Sequence, residues 1–175
     1  MLKKILIVVA VLIVAVLAYA ATKPDTLRVE RTTNVKAPAD KIFPLINDFH
    51  RWGDWSPYEK KDPAMTRTFS GAPSGKGAVY TWDGDSNVGA GRMEIVESSP
   101  ASKVAIQLDF SRPFEGHNIA EFTMQPQGDS TNVTWAMHGP SNYIGKIMSV
   151  FINMDTMIGS DFEAGLANLK AAVEQ

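Results

Sequence analysis

Proton-transfer chemistry needs a positioned acid or base, and few side chains in this 175-residue chain fit that description. Asp155 is the most informative. Ile144, Ile147, Met148, Phe151, Ile158, Phe162, Leu166, Leu169 and Val173 recur three, four and seven apart, so in an α-helix they share one stripe. At about 100° per residue Asp155 falls within that stripe, where an unpartnered carboxylate is costly to bury. Two arrangements resolve the conflict. In one, Gly145 to Met154 forms a short helix, the chain bends, and Asp155 caps a second helix running to Val173. In the other, the helix is continuous, Asp155 faces a cavity, and burial raises its pKa toward a value useful for proton transfer or for gripping a ligand hydroxyl. Arg92 and His138 are its candidate polar partners, and His138 and Tyr80 are the candidate second groups for acid–base work.

Other chemistries lack their residues. His50, His117 and His138 lie in different predicted elements without metal-ligand spacing, so no metal site is expected. The chain has no Cys and no Gly-x-Ser-x-Gly elbow, which removes thiol catalysis and the usual serine nucleophile. Gly71 to Gly77 resembles a phosphate loop but is one residue short, with Gly77 where Ser or Thr is required. It reads as a turn, and no cofactor is expected. Formal net charge is −2, and setting aside Lys3 and Lys4 leaves 15 basic residues against 19 acidic. A nucleic-acid partner is not expected, because the electrostatic term that dominates such binding is missing.

The elements that must position these residues follow the chain. Lys3 and Lys4 precede Ile5 to Ala21, seventeen uncharged and mostly aliphatic residues, a length at the lower limit for spanning a bilayer core of about 30 Å. This segment is expected to be a membrane anchor, or alternatively a signal peptide cut after the small-x-small run Ala18-Tyr19-Ala20. By the positive-inside rule either places the remainder outside the cytoplasm. Residues 1–25 thus form an anchor and tether, and 26–175 a single domain.

That domain opens with an alternating strand, Thr26 to Val35, followed by a short helix from Lys41 to Asn47 whose length Pro44 limits. Next comes Trp52-Gly53-Asp54-Trp55-Ser56-Pro57-Tyr58, which holds half the tryptophans. Six strands are expected at 65–70, 77–83, 91–98, 103–110, 118–127 and 131–138, separated by Gly, Pro, Ser and Asp turns, so neighbours pair antiparallel. Only the C-terminal helix is long enough to cover the apolar face of such a sheet. The expected fold is α+β: a curved antiparallel sheet of about seven strands wrapped around that helix.

This order resembles the helix-grip fold of the START-like (SRPBCC) superfamily, and most closely its polyketide cyclase/dehydrase-type branch. The likeness covers about residues 27–173. It rests on Val35-Lys36-Ala37-Pro38-Ala39-Asp40-Lys41-Ile42-Phe43, Trp52 to Pro57 with Asp62-Pro63, Gly91-Arg92-Met93, and Gly165-Leu166-Ala167-Asn168-Leu169-Lys170. The resemblance implies a ligand held between the inner sheet face and the long helix. Strand alternation nominates Tyr80 and Trp82, Met93, Phe122, and Trp135 and Met137 as its lining, with Phe151 and Asp155 from the helix. Trp52, Trp55 and Tyr58 are expected either to rim the entrance or to plug the sheet end; dipping into a membrane is a third role for such rings.

The functional expectation is an exported, membrane-anchored domain that binds an apolar small molecule or lipid. The alternatives are a cyclase or dehydratase-type enzyme using a cavity carboxylate, and a protein-interaction domain using the Trp52–Tyr58 segment.

Overall fold

The computed structural model describes residues 1–174. After an N-terminal helix, α1 (Leu2–Ala21), come β1 (Thr26–Val35), α2 (Ala39–Asn47), a 3₁₀ turn (Phe49–Asp54) and the one-turn α3 (Tyr58–Lys61). Six strands follow: β2 (Thr66–Gly71), β3 (Ala78–Asp83), β4 (Ala90–Ser99), β5 (Lys103–Arg112), β6 (Gly116–Gln127) and β7 (Ser130–Pro140). The chain ends with α4 (Tyr143–Phe151) and α5 (Met154–Val173). The seven strands form one antiparallel sheet in the order β1-β7-β6-β5-β4-β3-β2. Short turns join β2 through β7 as neighbours, and β1 closes the sheet against β7. The predicted strand boundaries hold within a residue or two, while α2 starts earlier than expected, directly after Pro38.

Alternation sorts the strands into two faces. Val29 and Val35, Tyr80 and Trp82, Met93 and Ile95, Val104 and Ile106, Phe122 and Met124, and Val133, Trp135 and Met137 all point inward and are buried. α5 lies on this concave face through Phe162, Leu166 and Leu169, spaced at i, i+4 and i+7. Burying each large side chain contributes roughly 1.5–3 kcal/mol, so this helix is a principal source of stability.

The terminal stripe divides. α4 ends at Phe151, Ile152 is extended, and Asn153 caps α5 by accepting a hydrogen bond from Thr156 N at 3.0 Å. Only the second half of the stripe covers the sheet. The first half turns the other way and packs beside α1, where Tyr143 Oη donates to Leu17 O at 2.8 Å. Lys146, nearly buried, pairs with Asp25 in the tether, and Ser141 N donates to Asp25 O at 2.8 Å. α1 is long and apolar enough to cross a membrane by length and composition.

Candidate functional site

The inner wall is built around Trp135. Its ring stacks on Phe162 of α5 at 4.1 Å between centroids and 10° between planes, and on Phe122 of β6 at 4.9 Å and 28°. Trp55 meets it edge-on at 5.6 Å, and Tyr58 does so at 6.4 Å. Two glycines make this density attainable. A side chain at Gly165 would press on the Trp135 ring and on Pro57, and one at Gly91 would overlap Trp82. Trp82 uses that space to pack edge-on against Phe110 at 5.6 Å.

Trp52 and Trp55 do not rim an entrance. The last carbonyls of a helix lack intrahelical partners, and these indoles supply them: Trp52 Nε1 donates to Ile46 O at 3.0 Å and Trp55 Nε1 to Leu45 O at 2.9 Å. Both rings are buried, so the plug alternative applies, and a membrane-dipping or partner-binding use of them is corrected. Asn168 Nδ2 of α5 donates to Trp55 O at 3.0 Å. The tryptophan segment and the Gly165-to-Lys170 segment therefore meet in space.

Among the described residues, two buried side-chain polar atoms lack a protein hydrogen-bond partner, Ser56 Oγ and Trp135 Nε1. Ser56 is 0% exposed and Trp135 3%. Such groups cost roughly 1–3 kcal/mol each when left unpaired. They belong to the segment after the 3₁₀ turn and to the centre of β7, linked by the Trp55–Trp135 and Tyr58–Trp135 contacts.

α3 is strapped over this region. Glu59 accepts from Tyr80 Oη at 2.7 Å with Oε1 and from Arg67 Nε at 2.6 Å with Oε2, tying α3 to β3 and β2. Lys61 Nζ pairs with Asp161 of α5 at 2.6 Å. Burial, then the Glu59 hydrogen bond and charge, push the Tyr80 hydroxyl well above the ordinary phenol range. Burial beside the Asp161 carboxylate does the same to Tyr58. Both phenols are therefore neutral donors. Sequence reasoning missed Glu59 because a single acidic residue in one turn of helix carries no periodic signal.

Asp155 takes neither of its proposed roles. The helix breaks, as in the first arrangement, but the cap is Asn153 and Asp155 lies in the first turn, 59% exposed at its side chain. Its partner is neither Arg92, which pairs with Glu94 at 2.6 Å, nor His138. It is Arg31 of β1, whose Nη2 lies 3.0 Å from Asp155 Oδ2 and whose Nε lies 2.6 Å from Glu163 Oε1. The guanidinium passes over Gly159, where any side chain would overlap it. Asp155, Gly159 and Glu163, at i, i+4 and i+8, thus form one helix face meeting one cation. The Arg31 hydrogen bond holds the Asp155 carboxyl below its ordinary range, the opposite of what a general acid needs.

His138 alternates with the inward Met137 and so falls on the outer sheet face, half-buried. Phe151 is 71% exposed at the end of α4 and lines nothing under the sheet. Tyr80, Trp82, Met93, Phe122, Trp135 and Met137 do share the inner face, but they pack there as a filled core. Two open clefts lie elsewhere. One of about 350 Å³ runs along the β1–α5 seam by Arg31, Thr33, Glu163 and Lys170. Another of about 310 Å³ lies on the outer sheet face by Arg92, Asp109 and His117. Within the latter, Asp109 accepts from His117 Nδ1 at 2.7 Å, which lowers the carboxyl's pKa. No cluster of His, Cys, Asp or Glu suited to a metal occurs among the described residues.

A family model described as "Polyketide cyclase / dehydrase and lipid transport" matches residues 26–174. The chain belongs to this family. Membership in the polyketide cyclase/dehydrase and lipid transport family, and so in the START-like superfamily, agrees with solved structures similar to the chain. A protein of Chromobacterium violaceum superposes with a TM-score of 0.59 at 14% identity, over 87% of this chain and 99% of its own. The Aha1 dimer of Colwellia psychrerythraea does so at 0.57 and 17% identity, over 85% and 96%. DynU16, from the dynemicin biosynthetic locus, does so at 0.60 and 16% identity, over 87% of this chain and 48% of that one. At these identities the likeness is one of fold. No curated protein matches the chain. In this member of the polyketide cyclase/dehydrase and lipid transport family, the segments around Trp52 and Gly165 act as fold devices: indole caps on α2 and a close approach of α5 to β7.

Proposed function

We propose that the domain binds an apolar small molecule or lipid between the inner sheet face and α5, seated against Trp135, with Trp135 Nε1 and Ser56 Oγ giving the ligand its polar contacts. The observation that carries this is the pair of fully buried, unpaired polar atoms inside an otherwise apolar aromatic wall. Native structures rarely leave such atoms without a partner. The family's description, which includes lipid transport, supports the same class of ligand. Because the core is packed, binding goes with displacement of the Phe162 ring and of α3, which is held by a few side-chain bonds, those of Glu59 to the sheet and that of Lys61 to α5.

In this proposal α1 anchors the chain in a bilayer with Lys3 and Lys4 on the cytoplasmic side and the domain outside. Secretion after cleavage is the alternative, decided by N-terminal sequencing of the mature protein. Asp155 is left out of any chemistry, since Arg31 keeps it ionised on the surface.

Binding is tested by titrating the full chain in detergent with a fluorescent polyene fatty acid and following energy transfer from tryptophan. Saturable transfer whose half-saturation moves to higher ligand concentration in Trp135→Phe and Ser56→Ala is expected. Transfer that is unsaturable, or whose half-saturation is the wild-type one in both variants, is partition into the micelle and contradicts the proposal.

A further inference from the structure

The apolar half of the terminal stripe that does not cover the sheet is only partly covered by α1, and among the described residues nothing covers the rest. Tyr143, Ile144, Phe151 and Ile152 are exposed on α4 and just after it, and Met157 continues the patch into α5. Fully burying a side chain such as Phe151 would gain roughly 1.5–3 kcal/mol, so leaving it outside needs a reason. The patch is poor in free charge. Lys146, the sole ionisable side chain of α4 besides the Tyr143 phenol, is tied to Asp25, and Asp155 is tied to Arg31.

The position of α4 supplies the occupant. It packs on the C-terminal part of α1, with Ala20 buried and Val16 half-buried in the contact, and Tyr143 Oη bonds to Leu17 O at 2.8 Å. Leu17 lies four residues before the end of α1 at Ala21, or about 6 Å along a helix axis. Interfacial helices sit about 5–10 Å into the headgroup and acyl boundary. If α1 spans a bilayer, α4 is therefore held at interfacial depth. Tyr19, with Lys23 Nζ over its ring at 4.6 Å, has the aromatic and basic character that favours the same boundary.

We infer that α4 and the α4–α5 corner lie in the outer interface of the bilayer that holds α1, with Phe151 and Ile152 inserted, so that the domain is seated on the membrane rather than swinging from a tether. The inference rests on α1 being an anchor. The β6–β7 turn, around Gly128 and Asp129, lies at the opposite end of β7 from α4, and the inference places it in water.

The chain has no Cys, so single-cysteine variants of the full chain can be labelled cleanly. The test is an environment-sensitive fluorophore at Phe151→Cys, Leu12→Cys or Asp129→Cys, in phosphatidylcholine/phosphatidylglycerol vesicles carrying spin-labelled lipid. The expected result at position 151 is a blue-shifted emission quenched most by shallow spin labels; at position 12, quenching by deep labels; at position 129, neither. Quenching at 12 but not at 151 overturns the inference and leaves the anchor standing. A blue shift at 151 without lipid quenching, growing with protein density, means a second copy covers the patch and also overturns it. Absence of lipid quenching at position 12 rejects the anchor, and the inference with it.

Discussion

Replacing Ser56 by alanine should stabilise the ligand-free protein. The Ser56 side chain is 0% exposed and its Oγ has no hydrogen-bond partner among the described protein groups. The variant thus breaks no side-chain bond and removes a buried unpaired hydroxyl, whose desolvation costs roughly 1–3 kcal/mol. The backbone bond from Ser56 N to Trp52 O, 2.8 Å, is untouched by the change. Taking the low end, a gain of about 1 kcal/mol corresponds to a rise of about 2–4 °C for a domain of this size. The same hydroxyl is proposed to bond the ligand, so affinity should fall about fivefold, the equivalent of roughly 1 kcal/mol. The assay is thermal unfolding of delipidated full chain, paired with the fatty-acid titration. A loss of 1 kcal/mol or more in the ligand-free variant would show that Oγ is already bonded, and unchanged affinity would remove it from the site. Either result refutes the reasoning.

Three further outcomes follow from the geometry. Glu59→Gln weakens two bonds from a nearly buried carboxylate and leaves Arg67 without its counter-charge, so it should cost about 2 kcal/mol and speed amide exchange across Tyr58–Lys61; unchanged exchange there would contradict the strap. Gly159→Ala must expel the Arg31 guanidinium, but Asp155 and Glu163 are exposed and the helix gains about 1 kcal/mol from alanine, so net stability should change little while the Asp155 pKa, followed by NMR, rises to the ordinary value of about 3.9. Tyr58 and Tyr80 have raised pKa values in the folded state, so stability they contribute is present below about pH 10 and is lost as pH climbs toward their folded values; replacing both with Phe should flatten the alkaline limb of the stability profile.

The architecture was legible because its signals are periodic. Alternation marked every strand, turn residues separated them, and the i, i+4, i+7 spacing of Phe162, Leu166 and Leu169 marked the helix that covers them. Periodicity could not say where the stripe changes partner. Ile144 and Phe151 obey the same spacing as Leu166, yet Asn153 turns them onto another surface. Nor could it pair residues far apart: Arg31 lies 124 positions from Asp155, and only the register of β1 under α5 joins them. The indole caps were hidden for a similar reason, since Trp52 and Trp55 answer carbonyls that only an already formed α2 leaves open. Of the site, the inner-facing residues were readable from alternation. Glu59 and the unpaired state of Ser56 and Trp135 were not, because hydrogen-bond satisfaction is a property of packing.

The aromatic wall around Trp135 is proposed to receive an apolar ligand. This is tested most directly by native mass spectrometry of the full chain released from its own membranes, followed by organic extraction of the bound fraction. The expected result is a roughly equimolar apolar molecule whose occupancy drops in Trp135→Phe and Ser56→Ala. A wild-type chain that is reproducibly empty, and stays empty after incubation with lipid extract, would contradict it.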